Sequence, residues 1–262
     1  MAVVTDRTLR SEPVWGTQIT LDVRDPVSDE TVDAVFAWFA RVDDLFSTWR
    51  EDTEISRLGR GEIGLRDVSH EVRDVLELCD RVQAESRGAF DVRVGSDPRV
   101  TPREGLGRID PSGLVKGWAL DRAAEALRDA GCAHFSIQAG GDVITAGGPW
   151  RVGIQHPWER DKVAAVLSVT DLAVATSGRY ERGDHIIDPR SGLPATGLMS
   201  VSVVTAELAI ADGYATAALV LGVEGLEWLS GLSGVSAMAI TDEREVLVTA
   251  SFDEHRVVGG AV

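Results

Sequence analysis

Asp212 and Thr216 stand four residues apart in ELAIADGYATAALVLG, an otherwise apolar stretch from Glu207 to Gly222. On a helix that spacing puts both oxygens on one face. An unpaired carboxylate is costly among apolar neighbours, so the pair reads as a clip for a hard cation, which takes oxygen ligands. His185 lies upstream, in TSGRYERGDHIIDPRSGLP, with Asp188 and Pro189 close behind it. An imidazole titrates near neutrality and can accept a proton from an attacking hydroxyl. The strand-like run LMSVSVVT separates the two patterns and can bring base and clip to the same edge of a sheet.

A third feature is IDPSGLVKGWALDRAAEAL, Ile109 to Leu127, which passes through a Pro-Ser-Gly turn into a helix. The free N–H groups of a helix start favour an anion, and Lys116 falls in this first turn. Lys116 and Lys162 are the two lysines among 26 basic residues. Where Arg is the default positive charge, a Lys in a Gly-rich turn answers a local need, because the two differ in donor geometry. Asp91, between Phe90 and Val92 in GAFDVRVGS, reads equally as an exposed strand residue or as an acceptor for a ligand N–H. Gly140 and Gly141, in HFSIQAGGDVITAGG, allow close approach of another strand or a ligand.

The elements around these residues alternate without a strict βαβ rhythm. Residues 14 to 23 read as a strand stopped by Asp25-Pro26. Ser28 caps a helix that shows Val32, Val35, Phe36, Phe39 and Val42 to a core, and FSTWREDTEISRL comes next as a polar segment. A second helix from Ser69 carries Val72, Val75, Leu76, Cys79 and Val82. WRVGIQHPW, VAAVLSVT and LAVAT are short strands expected to form an antiparallel meander. The C-terminal part adds the helix from 207 to 221, a helical piece from Val223 to Leu229, and the strands VSAMAI and EVLVTA. The expected class is α+β, with a mixed, largely antiparallel sheet and packed helices, in a single domain over 1–262 whose first 13 residues are flexible.

At 262 residues with 44% apolar content the chain can bury a large core. A net charge of -16 argues against nucleic acid or an anionic membrane surface as partner. No run is long and apolar enough to insert in a membrane, and the first residues have no signal-peptide pattern, so a cytoplasmic location is expected. Cys79 and Cys132 lack metal or redox spacing and read as small buried residues. His70, His134, His156 and His255 lie outside any motif and read as structural or surface residues.

Five blocks together resemble the ApbE-type FAD:protein FMN transferases. They are WGTQITLDV, GAFDVRVG, IDPSGLVKGWALD, QAGGDV, and TSGRYERGDHIIDPRSGLP with VSVVTAELAIADGYATAALVLG, in the family's order over residues 15 to 222. The resemblance implies transfer of the FMN half of FAD to a Ser or Thr of an acceptor protein, with release of AMP and with Mg²⁺ on the diphosphate. It implies His185 as base, and Trp15, Trp49, Ala89, Phe90, Asp91, Asp110, Lys116 and Ile186 as flavin or adenine contacts. The Mg²⁺ ligands it implies are Asp212 and Thr216 with the carbonyls of Gly113 and Ala215. Trp15 stands where the family usually has Met, Trp49 where it often has Tyr, and Asp184 where it commonly has Ser. Two other functions use the same residues: hydrolysis of FAD to FMN and AMP, and a non-catalytic flavin carrier.

Overall fold

The computed structural model describes residues 7–93, 108–180 and 186–257. The order of elements is β1 Thr8–Val14, β2 Thr17–Val23, α1 Asp29–Phe46, α2 Glu54–Gly59, α3 His70–Glu85, α4 Ser112–Asp129, β3 Phe135–Ala139 and β4 Asp142–Ala146. Next come β5 Trp150–Gln155, β6 Val163–Val169, β7 Ala173–Gly178, β8 Leu198–Thr205, α5 Leu208–Leu221, α6 Val223–Ser230, β9 Ser236–Thr241 and β10 Val246–Val248. Eight strands form one sheet in the order β1-β2-β3-β4-β7-β8-β9-β10, and every neighbouring pair is antiparallel. The α+β expectation holds.

Alternation along the strands assigns the two faces. Ile144, Ala173, Ala175, Val201, Val203, Ala237 and Ala239 enter the core shared with the helices. Val174, Val204, Met238 and Ile240 enter a smaller core covered by β5, β6 and Phe252. The expected meander is therefore divided. β5 and β6 form a separate two-stranded sheet over one face, with β6 bridged on its other side by Arg256, and β7 returns to the main sheet beside β4. Leu167 and Val169 on β6 and Trp150, Val152 and Ile154 on β5 are buried in that smaller core, which satisfies the hairpin without a place in the main sheet.

Several local expectations are corrected. Thr8–Val14 is a strand, so the flexible stretch does not reach residue 13. It pairs with β2 through a two-residue turn at Trp15 and Gly16, both at positive φ, 53° and 73°, the conformation that tight hairpins of this hand require. The polar segment after α1 contains α2, with Thr53 accepting from the Ser56 N–H at 3.3 Å as its N-cap. The start of the His185 block is strand: Thr176 to Gly178 end β7. Gly88–Arg93 and Ile109 lie outside any strand. Cys79 and Cys132 are free and buried, and no described helix is long and apolar enough to cross a membrane.

α5 is the buried axis of the helical layer. It packs on α4, β7, β8 and α6, and Leu208 to Ala215 are all buried. Alanines make this close packing possible: Ala211, Ala215 and Ala218 on the helix share a core with Ala173 and Ala175 of β7. A Cβ at Gly117 of α4 would lie 2.5 Å from the Leu208 carbonyl oxygen, so only glycine lets the two helices approach this closely. Asp121, one turn along α4, accepts the N–H groups of Leu208 at 2.9 Å and Ala209 at 2.8 Å. α5 has no side-chain cap of its own, and a capping carboxylate of this kind is worth about 1 kcal/mol. Burial pushes the Asp121 carboxyl up to about 6, against the two N–H groups that lower it.

Candidate active site

Asp212 emerges from the middle of α5 toward α4 and the start of β4. It is 5% exposed, and its Oδ2 has no hydrogen-bond partner. Burial raises its pKa, the Lys116 ammonium lowers it, and the Asp142 carboxylate raises it further. Four residues on, Thr216 Oγ1 lies 3.0 Å from Ser177 Oγ at the end of β7. A Cβ on Gly113 would be 3.4 Å from that Thr216 Oγ1 and 3.2 Å from Phe90 Cε2, so α4 enters the site at Gly113 with the Phe90 ring against it. Gly113, far from Asp212 and Thr216 along the chain, thus meets them because α4 and α5 cross at Gly117. Ala215, the other carbonyl expected at the cation, is fully buried beside Thr216.

Lys116 Nζ is 2.5 Å from Asp142 Oδ2, and Asp142 is fully buried. The contact is an ion pair without the alignment of a hydrogen bond, since Oδ2 has no partner in hydrogen-bonding geometry. The other oxygen, Oδ1, accepts the Thr176 N–H at 3.1 Å. β4 and β7 pair through only two residues each, Val143 with Val174 and Ile144 with Ala173. Beyond them the Asp142 carboxylate replaces the next backbone acceptor, so the strands part where the site opens.

Asp142 and Ser177 join the site although neither is singled out within its block, QAGGDV and TSGRYERGDHIIDPRSGLP. Asp142 stands inside QAGGDV, where a lone Asp beginning an apolar strand is the available signal. Ser177 lies at the start of the block that ends in DPRSGLP, but its partner Thr216 is 39 residues away.

The remaining expected contacts fall into three groups. Asp91 and Asp110 are half-exposed and each spends one oxygen locally: Asp91 Oδ1 accepts from the Arg93 N–H at 2.8 Å, and Asp110 Oδ1 from the Ser112 N–H at 3.2 Å. The Asp110 N–H in turn donates to the Val92 carbonyl at 2.8 Å, which fastens the 88–92 segment, with buried Ala89 and Phe90, beside the start of α4. Trp15 is half-buried, with its indole N–H donating to the Phe39 carbonyl at 3.2 Å and its ring edge-on to Phe39. Trp49 is 90% exposed and stacks on no described aromatic ring. Ile186 packs on the core edge and its carbonyl accepts the Ala195 N–H at 2.9 Å. His185, and Asp184 before it, lie outside the described residues.

The segment C-terminal to His185 is tightly tied. Arg190 grips Asp188 with two N–H groups, at 2.9 and 3.0 Å, and Ile187 bridges Pro194. Asp242, in the turn between β9 and β10, accepts from Arg179 Nη1 at 2.9 Å and from the Gly197 N–H at 3.0 Å. One carboxylate therefore pins both feet of the connection from β7 to β8.

The ApbE family model matches residues 15–100 and 97–239. The chain belongs to the ApbE family. Among curated ApbE relatives, a protein named FAD:protein FMN transferase from Klebsiella pneumoniae is 28% identical over 260 residues, covering 78% of this chain and 74% of its own. Another of that name, from Vibrio cholerae, is 28% identical over 236 residues and covers 70% of this chain and 71% of its own. The ApbE fold is seen directly in solved structures: the flavin transferase ApbE from Vibrio cholerae superposes with a TM-score of 0.81 at 24% identity, covering 95% of this chain and 99% of that one. An ApbE protein from Thermotoga maritima superposes with a TM-score of 0.85 at 22% identity, covering 96% of this chain and all of that one.

Proposed function

We propose that this chain transfers FMN from FAD to a Ser or Thr hydroxyl of an acceptor protein and releases AMP. The observation that carries the reading is the orphaned, buried oxygen of Asp212, one helical turn from the Thr216 hydroxyl and facing the start of α4. A buried carboxylate oxygen without a partner is costly, and a bound cation is what would offset that cost.

The donors fit Mg²⁺. Asp212, Thr216 and the carbonyls of Gly113 and Ala215 are oxygens only, and Mg²⁺ prefers a sparse oxygen set that leaves room for water and phosphate. When bound, Mg²⁺ would neutralise charge gathering on the cleaved diphosphate.

The chain's own residues do the rest. The start of α4 receives the diphosphate, with Lys116 one turn in from Ser112 and held against the sheet by Asp142. Phe90, Ile186, Trp15 and Trp49 offer apolar surface to the rings, and the free oxygens of Asp91 and Asp110 accept from ring or ribose donors. His185 takes the proton of the acceptor hydroxyl. The hydroxyl oxygen then bonds to the phosphorus on the FMN side, the bridging P–O bond breaks, and AMP leaves with the electron pair. We place the protein in the cytoplasm on the sequence reading, working as one domain.

The test is to incubate the protein with FAD and Mg²⁺, with and without an acceptor domain carrying a Ser/Thr flavinylation motif, and to monitor AMP, free FMN and acceptor mass. A docked hydroxyl has an advantage in effective concentration over bulk water. AMP release coupled to an FMN mass gain on the acceptor is expected. Equal release of FMN and AMP at the same rate without acceptor would make the protein a hydrolase, and FAD binding without cleavage would make it a carrier.

A further inference from the structure

The strand ends that carry the site continue into a second concavity on the opposite face of the sheet. It is a groove of about 310 Å³ between the tip of the β5–β6 hairpin and the Gly140-Gly141 turn. Gly140, Gly141 and Gly153 form its rims, and Gln138, Arg160 and Thr176 are among the groups along it. Thr176 connects it to the site: its N–H is held by Asp142, and the next residue, Ser177, touches Thr216 from the other face.

The lining indicates what the groove takes. Its lining is mostly glycine backbone and polar side chains, with Tyr180 its one aromatic ring and Asp161 and Lys162 beside Arg160. Glycine rims leave backbone uncovered, so a polypeptide backbone can come close. β5 pairs only with β6, which leaves its other edge without a described strand partner. Such an edge is a template for an added strand. The exposed Arg160 guanidinium makes no ion pair with any described residue and presents a fork of N–H donors to carbonyl or carboxylate oxygens. The Gln138 amide is exposed, its one contact a 3.5 Å approach to the Gly140 carbonyl.

We propose that this groove docks the acceptor polypeptide, as an extended segment laid along the open edge of β5 with its oxygens toward Arg160. The segment crosses the Gly140-Gly141 turn to deliver its hydroxyl to the site on the other face. The inference rests on the transferase reading and adds to it where the protein substrate binds.

Two variants test it, both at exposed residues outside the FAD site: Arg160→Glu, which reverses the charge, and Gln138→Trp, which fills the groove. Each is compared with the parent for transfer to a Thr-bearing acceptor domain, with the Thr→Ala acceptor as blank, and for FAD affinity by flavin fluorescence. The KM for acceptor is expected to rise at least about tenfold in each, the change produced by losing about 1.4 kcal/mol of contact, with FAD affinity and kcat at saturating acceptor kept. Parental KM for acceptor in both variants overturns the groove while leaving the transferase reading in place. Weakened FAD binding in both overturns it too, by assigning the groove to FAD. Failure of the parent itself to modify any acceptor removes the transferase reading, and the groove assignment falls with it.

Discussion

Asp212→Asn should make the metal-free protein more stable and the enzyme far slower. Burial pushes the Asp212 carboxyl up to about 8 in the fold, against roughly 3.9 for an unperturbed Asp. A group whose folded pKa is raised contributes its full stability below the unfolded value and loses it as pH climbs to the folded one. Between about pH 4 and pH 8 the metal-free fold therefore becomes progressively less stable on account of this residue. Asn has nearly the same shape and no charge, so the variant lacks that slope. Removing the buried charge removes that cost, about 1.4 kcal/mol for each pKa unit by which the group is displaced, and each kcal/mol moves Tm by about 2–4 °C in a chain of this size.

Activity goes the other way, because removing a group that neutralises developing charge costs about 10²–10³-fold in kcat. The assay is paired: thermal unfolding from pH 4 to 8 with chelator and with Mg²⁺, and AMP release at matched Mg²⁺. The parent should gain Tm with Mg²⁺ at pH 8, by linkage of binding to folding, and the variant should gain little. Parental turnover by Asp212→Asn at low Mg²⁺, or an equal Mg²⁺ shift in both proteins, would refute the clip.

Three further outcomes are expected. His185→Ala should bind FAD as the parent does and lose transfer by about 10²–10⁴-fold; parental transfer at parental FAD affinity would remove His185 from the chemistry. Gly117→Val should lower Tm and activity together, since its Cβ meets the Leu208 carbonyl at 2.5 Å and overpacking of this kind costs about 1–3 kcal/mol; an unchanged Tm would contradict the α4–α5 crossing. Trp49→Ala should leave Tm unchanged, the ring being 90% exposed, and weaken FAD binding in a fluorescence titration; unaltered affinity would take Trp49 out of the FAD site.

Local chemistry was legible in the chain. Ser28, Ser69 and the apolar spacings of α1 and α3 specified those helices because capping and periodicity act within a few residues. The four-residue interval of Asp212 and Thr216 specified one helix face, and an acidic residue on so apolar a helix already required a partner. The five blocks carried the family. Tertiary structure alone decided which distant groups meet. Asp142 became part of the site because β4 and β7 part after two residue pairs and leave the Thr176 N–H to its carboxylate. Ser177 joined Thr216 through the alternation of β7. The β5–β6 hairpin left the main sheet because its apolar face found a core of its own. Asp121, Gly117 and Asp242 act across 87 residues, across a helix crossing and across two chain feet. No pattern in a linear window can show that, because the interactions exist only once nonlocal packing has brought the partners together.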